Sequence, residues 1–152
     1  MNEDQQQTSH KWHAIECNNL TWTLTEQESR TAEEDATMLA GAYAAAFHWD
    51  KVGTDLNRAR AQLLVAQVHC CLGHGELAIA AVHESREVLL KTEMPDWEAA
   101  TLEAIHAHAH FVAGEMQFYT PTYAEAQKLG AAIASDEDRA IFEATFRTVP
   151  KA

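Results

Sequence analysis

The three prolines and six glycines of this 152-residue chain fall largely between segments whose apolar residues recur every three or four positions. No two-residue alternation is sustained anywhere. A chain punctuated this way buries its apolar stripes helix against helix, so the expected fold is all-α.

Six or seven helices are expected. The first runs from about Thr8 to Leu20 with Trp12, Ile15 and Asn19 on one side, after a mobile tail over residues 1–8 and before an irregular stretch from Thr21 to Arg30. Thr31 and Glu34 have capping-box spacing: the hydroxyl accepts from the N–H three residues on while the glutamate reaches back. The second helix starts there, presents Met38, Ala42, Ala45 and Trp49, and stops at Gly53, read as a left-handed closing residue. The third, about Asp55 to Leu72, carries the stripe Ala61, Leu64, Val65, Val68 and Leu72. Past the tight Gly73-His74-Gly75 turn, a fourth from Glu76 to about Thr92 presents Ala78, Ala81, Val82, Ser85, Val88 and Leu89 before Pro95 blocks it. Asp96 is expected to cap a fifth that buries Trp97, Ala100, Ala104 and Phe111 and ends at Gly114. Thr120-Pro121 opens a sixth with proline in its favoured first position. Ser135 and the acids after it open a seventh, which caps the stack with Ile141, Phe142, Thr145, Phe146 and Val149.

With 47% hydrophobic residues the chain can bury one continuous core, so a single domain over residues 1–152 is expected. Twenty-three acids against 11 bases give a formal charge of −12, which repels phosphate backbones and anionic lipid; neither nucleic acid nor membrane is an expected partner. Three cysteines are an odd number, and the adjacent Cys70 and Cys71 have a spacing that disfavours a disulfide, which fits a reducing cytoplasm. The acidic, polar start is unlike an export signal, and no apolar run reaches membrane-spanning length.

Leu72-Gly73 and Ala113-Gly114 close the third and fifth helices at an offset of 41 residues, each followed by an alanine-bearing helix, with Ala78 and Ala81 or Ala124 and Ala126. On these residues the chain resembles the tetratricopeptide (TPR) family, with Ala61 to Pro95 following one repeat of small residues, a glycine turn and a closing proline. The second unit departs from that pattern by extra residues around Gln117 to Thr122, and the early aromatic of each first helix is not consistently placed, so the resemblance is TPR-like. The strings Asn18-Asn19-Leu20-Thr21-Trp22, His48-Trp49-Asp50-Lys51-Val52-Gly53 and Asn57-Arg58-Ala59-Arg60 resemble small bacterial TPR-like proteins of unassigned function. The resemblance implies a TPR-like α-solenoid of stacked antiparallel helix hairpins.

Nine histidines invite a metal reading. His106 and His110, four apart on one helix, can chelate one ion, but Ala107 stands where a zinc protease needs glutamate. Glu103 and His106 form a single Glu-x-x-His pair without the second that a di-iron bundle requires. His69, Cys70, Cys71 and His74 offer soft and borderline ligands, yet adjacent cysteines diverge by about 100° around a helix. The plainer reading makes these half-buried or hydrogen-bonded helix residues. No nucleophile turn or phosphate loop is present, so no catalytic residue is assigned and no cofactor is expected.

The other candidate is a groove. First helices of stacked hairpins line a solenoid's concave face, which would gather Asn57, Arg60 and Gln67 with Glu103, His106 and His110, and His48 at the edge. Arg60 would hold a carboxylate and Asn57 a peptide backbone, as the resemblance to TPR grooves implies. The plain alternative has Asn57 capping its helix and Arg60 paired with a neighbouring acid. The expected function is a non-catalytic module binding a protein or peptide in that groove, against a metal- or small-molecule-binding alternative using the histidines. Self-pairing into a homodimer through Trp12, Trp22 and Phe146 is a third possibility.

Overall fold

The computed structural model describes residues 1–151, which form seven helices and no strand among them. These are α1 (Glu3–Thr25), α2 (Ala32–Val52), α3 (Asp55–Leu72), α4 (Gly75–Leu89), α5 (Asp96–Val112), α6 (Met116–Ala131) and α7 (Asp136–Phe146). The largest contacts join α1 to α2, α3 to α4 and α5 to α6, so the chain folds as three antiparallel hairpins plus a terminal helix. Between hairpins, α3 also touches α1 and α5, and α7 lies mainly on α5. The odd helices thus form a continuous inner layer, while the even helices meet mainly their neighbours in sequence. A stack in which one layer touches and the other splays is curved, with the touching layer on the concave side.

Helix starts follow local chemistry. Thr31 and Glu34 form the expected capping box, and Ser135 accepts from Asp138 N–H at the start of α7. Two further boxes, Asn2 with Gln5 and Thr54 with Asn57, open α1 and α3. α1 therefore begins within the segment expected as a tail and continues through Thr25, into the stretch expected to be irregular.

The side of α1 that carries Trp12, Ile15 and Asn19 is not its buried face. Trp12, Ile15 and Asn19 are exposed, and the buried residues of the helix are Ala14, Thr21, Leu24 and Thr25, with Thr21 meeting Gly41 of α2. Small side chains win that seam because they let two backbones approach closely.

α6 starts at Met116, so Pro121 lies inside the helix, beyond its first turn. Gly114 has already turned the chain with φ 77°, which leaves no loop before Pro121. Gly73 adopts the same left-handed conformation at φ 75°, so the repeated Leu-Gly and Ala-Gly signals mark equivalent turns. Gly53 does not: its φ is −86°, and it is small because a Cβ there would lie 2.6 Å from Trp49 O and 2.9 Å from Asn57 Cβ. Asp96 is the first residue of α5 and not its cap; its Oδ2 accepts from Ala134 N–H, tying α5 to the α6–α7 loop.

α5 is the central helix. It touches α3, α4, α6 and α7, and Ala100, Leu102, Ala104, Ile105, Ala107 and Ala109 are fully buried. Phe111, expected inside, lies at the helix end and is exposed. Gly75, which opens α4, sits against the end of α5: a Cβ would lie 2.7 Å from both Ala113 Cα and Val112 O. Backbone cannot yield as a side-chain tip can, so Gly75→Ala is expected to lower unfolding free energy by about 1–2 kcal/mol in urea melts, an overpacking effect.

No helix among the described residues is long and apolar enough to cross a membrane.

Candidate functional site

The inner layer encloses a cavity of about 380 Å³. α1 supplies Asn18 and Trp22, its C-cap residue Glu26 follows, α3 supplies Arg60 and Leu63, α5 supplies Trp97, Glu98 and Thr101, and α7 closes it with Ile141 and Thr145. Positions 60 and 63 on α3, and 98 and 101 on α5, lie three apart, so each pair falls on one helix face.

Arg60 is held by Glu98 through two parallel bonds, Nε to Oε1 and Nη2 to Oε2, both 2.9 Å. The carboxylate side chain is only 4% exposed and the guanidinium side chain 46%. The hydrogen bonds to Glu98 raise the Arg60 pKa above its usual value, against the opposing effect of burial. Glu98 occupies one edge of the guanidinium, leaving Nη1 without a partner among the described residues, so an oriented donor remains at an apolar pocket.

Two buried polar atoms on the same inner faces also lack partners: Thr101 Oγ1 and Gln67 Oε1. The Gln67 amide nitrogen donates to Thr148 Oγ1 at 3.0 Å, fastening the segment after α7 across α3. Arg147 reaches Glu26 O at 3.2 Å from the same segment.

A second inner cavity of about 490 Å³ is lined by Arg30, Cys70, Cys71, His108 and Thr148, among others. The thiols point to different carbonyls, Cys70 to Ile105 O at 3.8 Å and Cys71 to Thr25 O at 4.0 Å. Burial pushes both thiols up, which suppresses the thiolate and argues against a nucleophile. Nor do they join His69 and His74 in a metal site. Those two imidazoles bond each other Nδ1 to Nδ1 at 3.0 Å, and His69 Nε2 is taken by the Tyr43 hydroxyl at 2.7 Å.

The residues expected in one groove separate into five places. Asn57 is spent on its own helix start, its Oδ1 accepting from Thr54 N–H at 3.1 Å. Arg60 lines the inner cavity, as the groove reading requires, but paired as the plain reading required. Gln67 is fully buried under Thr148. His48 lies on the α1–α2 hairpin, bonded to His10 at 2.8 Å between ring nitrogens and stacked on His13; burial lowers its pKa, with those two rings adding to the effect.

Glu103, His106 and His110 fall on the opposite side of α5 from Glu98 and Thr101, because a helix turns about 100° per residue. There Arg86 of α4 bonds Glu103 Oε1 at 2.8 and 3.1 Å, and His110 Nε2 lies 2.9 Å from His106 Nε2. His110 Nδ1 is 2.8 Å from Glu115 Oε2, and His83 packs edge-on against both rings. Burial lowers the His110 pKa, partly offset by Glu115. Glu98, His83 and Glu115 were not singled out from the sequence, and Trp22 only as an aromatic for self-pairing.

Of the aromatics considered for self-pairing, Trp12 is exposed, whereas Trp22 walls the inner cavity and Phe146 stacks on Phe142.

Comparison with protein-family models, with curated proteins and with solved structures found no match to this chain.

Proposed function

We propose that this chain is a non-catalytic interaction module that takes an apolar side chain of a protein or peptide partner into the inner cavity of a TPR-like stack. The observation that carries the reading is the apolar wall of Trp22, Leu63, Trp97 and Ile141 around one fixed, half-free guanidinium. Pockets of this size with few oriented polar groups are the usual form of a recognition site. Buried Trp and Arg are also the residues that dominate interface energetics.

The ligand chemistry follows from charge. Arg60 and Glu98 cancel, Glu26 adds a negative group at the wall, and the whole chain carries −12. The free Nη1 edge therefore suits a peptide carbonyl better than a carboxylate, and the flanking partner residues should be basic. Free thiols at Cys17, Cys70 and Cys71 suit work in a reducing cytoplasm.

Random-peptide display against the purified protein tests this. Peptides sharing one large apolar residue beside Lys or Arg are expected to enrich on the wild type. They should be lost on Ile141→Arg, which fills the cavity from a half-exposed position and adds repulsive charge. No enrichment, or enrichment that survives Ile141→Arg, would overturn the reading.

A further inference from the structure

The histidine cluster on the far side of α5 is one hydrogen short of satisfying itself. The Glu115 carboxylate can only accept, so the 2.8 Å contact places a proton on His110 Nδ1 and leaves its Nε2 bare when the ring is neutral. The 2.9 Å contact between the two Nε2 atoms then requires the proton of His106 on its Nε2. His106 Nδ1 is left as a bare lone pair, buried, without a hydrogen-bond partner, and 3.5 Å from the carboxylate oxygen of Glu103. A buried acceptor facing an anion is unfavourable, and a cation shared by the two Nε2 atoms removes the conflict.

We propose that His106 and His110 bind a divalent transition-metal ion of zinc's class between their Nε2 atoms, with His83 swinging in as third ligand. The two rings lie four residues apart on one helix face, the spacing at which imidazoles chelate one ion. No three ligating side chains already converge among the described residues, so the third must move. His83 is exposed, with ring centroids 5.6 Å from His106 and 6.4 Å from His110, close enough for rotation about its side-chain bonds to bring a nitrogen in. Three imidazoles and a water make an ordinary zinc coordination sphere.

The surroundings already have the second shell of such a site. Glu115 orients His110 through Nδ1, and Glu103, fixed by Arg86, stands ready to do the same for His106. Arg86, Glu103 and Glu115 together leave one net negative charge beside the ion. On binding, the His106 proton moves from Nε2 to Nδ1 and donates to Glu103, so no proton is released from neutral rings.

Zinc titration of the full chain, by calorimetry and by nitrogen-15 NMR of the histidine rings, tests this. One ion per chain is expected, with His106 changing from the Nε2–H to the Nδ1–H tautomer. His106→Ala and His110→Ala should each abolish binding, and Glu115→Gln should weaken it by about 10–100-fold, as loss of an orienting carboxylate does. Absence of binding overturns the proposal. So does binding that persists in the His106→Ala/His110→Ala double variant, which would place the ion elsewhere on the chain. A His106 ring found doubly protonated at neutral pH, with zinc failing to displace that proton, would show that a proton alone fills the gap and would equally overturn it.

Discussion

Arg60→Ala is expected to lower the unfolding free energy by about 3 kcal/mol, the low end of the range for stripping a buried ion of its partner. The low end applies because the guanidinium side chain is 46% exposed and solvent already screens the pair. What remains after the substitution is a Glu98 side chain only 4% exposed with nothing to neutralise it. Glu98→Gln should cost less, about 1 kcal/mol, since the half-exposed Arg60 can turn to water while the amide keeps the shape. Replacing both by apolar residues of similar volume should be close to neutral, because the desolvation of each ion disappears along with their attraction. Urea unfolding of the three variants reads this directly. Equal losses for Arg60→Ala and Glu98→Gln would show that the pair is not held together by a desolvated carboxylate. The asymmetry also bears on function: loss of binding in Arg60→Ala would mix recognition with folding, so Ile141→Arg is the cleaner probe of the cavity.

The Arg60–Glu98 pair marks the boundary of what the sequence discloses. Local signals were legible: Thr31 and Glu34, Ser135, and the two left-handed glycines all act within a few residues of chain. Thr54 and Asn57 are just as local, but asparagine stands where the familiar box has Glu or Gln, so Asn57 was also open to a ligand role. The buried face of α1 is not legible from apolar area, in which Trp12 and Ile15 outweigh Ala14 and Thr21. Close helix packing selects for small size instead.

Partners one hairpin away were illegible for a different reason. Arg60 on α3 meets Glu98 on α5, the corresponding helix of the next hairpin, across 38 residues. That separation is the register of the stack, and it becomes a rule only once the hairpins are known to stack. The 41-residue offset between glycine turns came close to disclosing it. The same ignorance of register placed Glu103, His106 and His110 in a groove that they face away from. Their mutual spacing was readable, whereas the contributions of His83 from α4 and Glu115 from beyond the α5 turn were not.

Acid should destabilise this fold through His108 in particular. The ring is 6% exposed beside the second inner cavity, and burial lowers its pKa from 6.5 to about 4. A folded chain that holds the ring neutral binds fewer protons than the unfolded chain between those values, so each step down in pH favours unfolding. The stabilising contribution is present in full above pH 6.5 and declines as pH falls towards 4, where the folded ring also takes its proton. At pH 5 the loss from this residue alone comes to about 2 kcal/mol. His48, His69 and His110 are lowered in the same direction and add to the slope. His108→Leu should remove the His108 share, narrowing the stability gap between about pH 8 and about pH 5 by about 2 kcal/mol while leaving the rest. The substitution sacrifices no hydrogen bond at Nδ1, because that buried nitrogen has no partner, so the variant should be at least as stable as wild type in mild acid. Denaturant melts of both proteins across that range decide the matter. A pH dependence unchanged in His108→Leu would mean that the ring is hydrated or protonated in the folded chain, and that the second cavity admits water deeply enough to reach α5.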